Sequence, residues 1–234
     1  MVVERFFETR DALTQALQQE CEAALVAAVE DRGEATFMVS GGSTPEVLYK
    51  AMSQSDLPWE SIYVALVDER WVDFEHARSN EAFVARCLIQ NKAVNTNLIG
   101  MKNSADTPQE GVEDCEAAYQ QLAQPFDITI LGMGPDGHTA SWFPNAQGLQ
   151  EALTTDALCS AVTAHQSDVT GEEVLRMTLS LKGVLKSKKL YLLLTGNDKL
   201  ETFRAAQAGT DVSEMPIRAL LQQDELDLTV FWAP

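Results

Sequence analysis

The chain has 234 residues, 45% of them hydrophobic and 22% charged, a globular balance that excludes a disordered chain and allows a large buried core. Its 35 acidic and 17 basic side chains give a net charge of −18, which repels nucleic-acid backbones but leaves room for a small anion held by local donors. No apolar run approaches the ~18 residues that span a membrane, and Glu4, Arg10 and Asp11 interrupt the first apolar residues, so no signal peptide is read.

The four cysteines (Cys21, Cys87, Cys115, Cys159) lack paired spacing. Buried free thiols in a reducing cytoplasm are expected. Residues 2–7 alternate weakly and predict an opening strand. From Thr9 to Arg32, Leu13, Leu17, Ala24, Leu25 and Val29 recur at helical spacing, and Gly33 marks the stop. A short buried strand over residues 35–39 runs into Ser40-Gly41-Gly42-Ser43-Thr44-Pro45, after which Val47, Leu48 and Met52 predict a helix. A strand, then glycines and hydroxyls, then proline at a helix start is a phosphate-cradle arrangement, with free N–H groups and the helix dipole facing an anion. The same pattern also fits an ordinary capped helix start. It is neither a Walker A loop nor a G-x-G-x-x-G fingerprint.

Residues 61–67 predict a second buried strand that exits into Asp68-Glu69-Arg70-Trp71. Ser79-Asn80 caps a helix running to about Ile89, with Ala82, Phe83, Cys87 and Leu88 inward. His76, in the polar connection before it, reads as a solvated surface residue. Residues 95–100 predict a short strand and residues 112–122 a helix.

An apolar strand over residues 128–131 then enters Gly132-Met133-Gly134-Pro135-Asp136-Gly137-His138-Thr139-Ala140-Ser141. Three glycines and a proline force a sharp turn with little side-chain bulk, and the turn carries an acid and an imidazole two residues apart. Such a turn reads as a catalytic loop. Residues 157–164 predict a strand, with His165 structural at its edge. Arg176 lies among apolar neighbours in an alternating strand and needs an anionic partner, either a carboxylate or a ligand phosphate. Residues 189–194 form an apolar strand that places Lys199 in the first turn of the next helix. Pro216 opens a short helix, and residues 226–232 close the chain as a strand.

Strands alternating with helices throughout predict an α/β fold, a mostly parallel open sheet with helices on both faces, as one domain over residues 1–234. The exits at residues 40–44, 68–70, 132–138 and 195–199 should converge at one sheet edge. Scattered histidines and unpaired cysteines make no standard zinc site, and no G-x-S-x-G elbow is present. One imidazole beside a carboxylate, with cations and an anion cradle, suits proton transfer on a phosphorylated small molecule.

These motifs, together with Ser79-Asn80 and Arg176-Met177-Thr178, closely resemble the glucosamine-6-phosphate isomerase/6-phosphogluconolactonase family, in the expected order over nearly the whole chain. Asp73 departs from the family's usual proline. The resemblance implies a NagB-like, Rossmann-type fold. It points to the lactonase branch, because Phe143 stands where the deaminase branch carries a glutamate, and Arg70 where it usually carries tyrosine. The implied reaction is hydrolysis of 6-phospho-D-glucono-1,5-lactone in the oxidative pentose phosphate pathway. The implied partner is that phosphosugar lactone, with no metal, cofactor, nucleic acid, membrane or obligate protein partner. His138 is then the base that activates water, since an imidazole ordinarily titrates near pH ~6.5. Asp136 either orients it or touches substrate hydroxyls. Ser40, Gly41, Gly42, Ser43, Thr44, Arg176 and Lys199 are expected on the phosphate, Arg70 on the phosphate or the oxyanion, and Asp68 in the catalytic group without an assigned step.

Overall fold

The structure, a computed structural model, describes residues 2–223 and 227–234. Seven strands form a parallel sheet in the order β1 (Val2–Phe6), β10 (Leu228–Ala233), β9 (Ser187–Thr195), β6 (Phe126–Leu131), β2 (Ala35–Val39), β3 (Ile62–Leu66), β5 (Asn97–Ile99). Every residue of β2 and β6 is buried, as expected of strands covered on both faces. Leu226, expected in the last strand, lies outside the described residues.

The helices are α1 (Arg10–Arg32), α2 (Ser43–Met52), α3 (Asn80–Cys87), α4 (Pro108–Gln120), α5 (Leu149–Thr154), α6 (Leu181–Leu185), α7 (Asn197–Ala208) and α8 (Arg218–Leu221). Right-handed crossovers put α1, α2 and α3 on one face and α4 and α7 on the other. α1 starts on the Thr9 hydroxyl, which accepts from the Ala12 N–H, and stops at Gly33 in the left-handed region. Its buried stripe is Leu13, Leu17, Cys21, Leu25 and Ala28, close to one per turn, with the expected Ala24 and Val29 half-buried beside it. Each large side chain so buried stabilises the fold by roughly 1.5–3 kcal/mol.

Several boundaries differ from the sequence reading. α4 begins at Pro108, four residues early, because Thr107 and Glu110 form a reciprocal capping box ahead of the first apolar residue of the stripe. α3 ends at Cys87. Val47 points outward on α2, while Leu48 and Met52 face the core. Asp68–Arg70, read as a strand exit, is itself a strand (β4) in a second, antiparallel sheet ordered β4, β8 (Leu175–Leu179), β7 (Cys159–Thr163). This small sheet packs against α4 and α5, and Arg176 through Leu179 are all buried rather than alternating.

All four cysteines are free and buried, with the Cys115 and Cys159 sulfurs 3.5 Å apart. His76 is exposed, and His165 reaches the Asn145 carbonyl oxygen at 3.0 Å. Among the described residues no helix is long and apolar enough to cross a membrane.

Candidate active site

From β2 the chain crosses toward β3, and from β6 it crosses the opposite way toward β9, so the sheet reverses direction between these two neighbours. A parallel sheet opens a crevice beyond its carboxyl ends at such a point. A cleft of about 320 Å³ lies there, lined by Ser40, Gly41, Gly42, Ser43 and Thr44 after β2, Asp68 and Arg70 of β4, His138 beyond β6, Arg176 of β8 and Lys199 of α7. Asp136, expected with them, is absent from the cleft wall and stands behind His138.

The turn after β2 is built for close approach. Gly42 has φ +104°, and no side chain caps the start of α2, so its first N–H groups remain available. The Ser40 hydroxyl is buried on the cleft wall without a hydrogen-bond partner, while its carbonyl accepts from the Tyr49 hydroxyl at 2.9 Å. A side chain at position 41 would place its Cβ 2.0 Å from the Asn80 Oδ1, so only glycine fits.

Asp136 Oδ1 sits 2.6 Å from His138 Nδ1 and also accepts the His138 backbone N–H at 3.2 Å. A carboxylate at Nδ1 assigns the proton to that nitrogen and leaves Nε2 as the acceptor. Gly134 makes the pair possible, since a Cβ there would lie 2.0 Å from Nδ1. Burial alone would raise the Asp136 carboxyl, but the hydrogen bond and charge of His138 hold it below the usual range.

Arg70 and Arg176 stand opposite each other in the β4–β8 register. Arg70 Nη1 donates to the Arg78 carbonyl (2.6 Å) and to Asn80 Oδ1 (3.0 Å), and its buried Nε has no partner. Arg176 donates from Nε to the Glu173 carbonyl (2.8 Å) and from Nη2 to the Thr170 carbonyl (3.0 Å). Its hydrogen bonds thus go to backbone oxygens instead of the carboxylate that the sequence reading allowed. Burial pushes Arg176 down to about 10, against the pull of the Asp68 charge, so it stays charged at neutral pH. Lys199 donates to the Met133 carbonyl at 2.7 Å, and burial lowers its pKa. Three cations therefore face one cleft in a chain of net charge −18.

Asn80, Ser141 and Glu69 escape sequence reasoning. Ser79 is the cap of α3, as expected, and its hydroxyl accepts from the Ala82 N–H at 3.1 Å. Asn80, one residue on, turns its side chain into the cleft wall, where Nδ2 donates to the Asp68 carbonyl (2.9 Å) and Oδ1 accepts from Arg70. The Ser141 hydroxyl donates to Asp68 Oδ2 at 2.6 Å. Buried Glu69 accepts from the N–H groups of Arg70, Asn80 and Glu81 at 2.7–2.8 Å, tying β4 to the start of α3. Sequence reading placed Ser79-Asn80 at a helix cap, Glu69 in a charged strand exit and Ser141 at the end of the catalytic loop, without assigning any of the three a part in the site. Among the described residues, no cluster of three or more His, Cys, Asp or Glu side chains is placed to hold a metal ion.

Residues 8–232 match the family described as Glucosamine-6-phosphate isomerases/6-phosphogluconolactonase. The chain belongs to this family. Every residue that lines the cleft falls inside the stretch that matches it. The 6-phosphogluconolactonase of Rhizobium meliloti is 36% identical over 97% of each chain. That of Pseudomonas aeruginosa is 37% identical over 93% of this chain and 89% of its own. The crystal structure of a 6-phosphogluconolactonase from Shewanella baltica has a TM-score of 0.95 and 40% identity, covering 100% of this chain and 98% of that one. A monomeric glucosamine-6-phosphate deaminase shares the family's fold, with a TM-score of 0.80 at 18% identity over 99% of this chain and 97% of its own.

Proposed function

We propose that this chain is a 6-phosphogluconolactonase, hydrolysing 6-phospho-D-glucono-1,5-lactone to 6-phosphogluconate with His138 as general base. The observation that carries the reading is an imidazole backed at Nδ1 by Asp136, in the same cleft as an uncapped helix start and three cations. In this scheme His138 Nε2 takes a proton from water as its oxygen bonds to the lactone carbonyl carbon. Positive charge on the cleft wall steadies the developing oxyanion. The tetrahedral intermediate then collapses, the bond to the ring oxygen breaks, and the imidazolium returns its proton to that oxygen. Asp136 keeps the ring in one tautomer and favours the cation that forms.

A lactone is an activated ester, so the scheme needs neither a covalent nucleophile nor a metal. The phosphate is assigned to the Ser40–Gly41–Gly42–Ser43–Thr44 turn, with charge from Arg176 and Lys199. Holding that remote group positions the carbonyl over the base, so its binding energy lowers the barrier. Arg70 adds charge to the same wall. Asp68 takes no part in proton transfer in this scheme; its carboxylate offsets the two neighbouring arginines. Phe143, which cannot transfer a proton, supports lactone hydrolysis over deamination.

The test is proton release from freshly prepared phosphorylated lactone, measured above spontaneous hydrolysis. The wild-type chain should turn it over and release no ammonia from glucosamine 6-phosphate. His138→Asn should lower kcat by ~10²–10⁴-fold with KM little changed. Near-normal turnover by that variant would remove His138 from the base role.

A further inference from the structure

Five residues past the base, the chain returns to it. Ala140 adopts φ +47°, a left-handed conformation unusual for a residue with a side chain, and beyond it Phe143 folds back against His138. The ring centroids are 4.4 Å apart with the planes inclined at 36°. The same phenyl ring lies 5.0 Å from the guanidinium carbon of Arg176. Phe143 is buried, and it lines the cleft. The two residues before it are anchored to the small sheet. The Trp142 indole N–H donates to the Leu179 carbonyl at 2.8 Å, and the Ser141 N–H donates to the Thr178 hydroxyl at 3.2 Å.

Burial calls for an apolar side chain in this space and does not by itself specify an aromatic one. A phenyl ring offers something more, because its π-electrons attract a cation. Arg176 is a cation throughout, and the imidazole becomes one when it accepts the water's proton. The ring therefore supports the guanidinium in the resting enzyme and the imidazolium as the barrier is crossed.

We propose that Phe143 is a positioning residue for the hydrolysis, one ring holding the base and the anion-facing Arg176 in fixed relation. The inference rests on the assignment of His138 as base. Phe143 itself moves no proton and makes no bond to substrate.

The test compares Phe143→Leu and Phe143→Tyr, alone and with Arg176→Ala, by steady-state kinetics well below each variant's Tm. Phe143→Leu should lower kcat ~10-fold and raise KM several-fold. Phe143→Tyr, which keeps the ring, should recover most of both losses. Because the KM effect acts through Arg176, adding Phe143→Leu to Arg176→Ala should raise KM no further. Wild-type kcat and KM in Phe143→Leu would overturn the inference, as would a KM increase that simply multiplies with that of Arg176→Ala. If Phe143→Leu does not fold, Phe143→Met serves in its place. Loss of rate in His138→Asn alongside wild-type kinetics in Phe143→Leu would reject the positioning role alone. Wild-type rate in His138→Asn would reject the underlying reading as well.

Discussion

Lys199 and Arg176 are cations whose burial works against their own charge. For Lys199 the consequence has a sign. With its pKa below that of an ordinary lysine, it loses its proton earlier as pH rises, and an anion bound to it must then pull a proton back. Calorimetric affinity for 6-phosphogluconate should therefore fall as pH rises toward the range where an ordinary lysine titrates, and Lys199→Arg should flatten that decline. An equally steep decline in the variant would assign the titration to another group. The same shift means that the unfolded chain binds more protons in this window, so this residue's contribution to stability rises with pH while the ligand's affinity falls. The pairing of Asp136 with His138 was legible at this scale, because both lie on one short turn. The place of Asn80 was not, since its meaning comes from Gly41 and Arg70, which reach it from other strands.

At the scale of elements, β4 and β8 set Arg70 directly across from Arg176, a cross-strand pair of like charges. Such a pair is destabilising by itself. Asp68 offsets part of the repulsion, and an anion in the cleft would offset more. Inorganic phosphate should accordingly raise the Tm of the wild-type chain, by about 2.7 kcal/mol of stability at a hundred times its Kd. Arg176→Ala should lose most of that gain in a thermal-shift titration. An equal gain in wild type and variant would mean that the anion binds elsewhere. Sequence reading found the cations and missed this pairing, because three consecutive charged residues carry no strand periodicity. The early start of α4 was missed for a related reason: the Thr107–Glu110 box precedes the apolar stripe by which the helix was recognised.

Over the whole molecule, the interior strands carry the stability and the sheet's carboxyl edge carries the chemistry. β2 and β6 are buried along their full length, whereas β1 and β5 form the two edges with partly exposed residues. Amides of β2, β6 and β9 should exchange slowest with deuterium, at the rate of global unfolding, and those of β1 and β5 much faster. Fast exchange in β6 would mean that the base-bearing turn stands on a yielding support. By itself the sequence determined the alternation of strands and helices, and with it the parallel sheet and the residues that emerge at its carboxyl edge. Hydrophobic period and turn chemistry are local, so they are written in consecutive residues. Only the tertiary structure decided that Asp68–Arg70 pairs with β8, that Asn80 joins Gly41 to Arg70, and that Phe143 lies against both His138 and Arg176. Those relations are distances between segments remote in the chain, set by how the small sheet packs beside the large one, and no local pattern encodes which partner each segment meets.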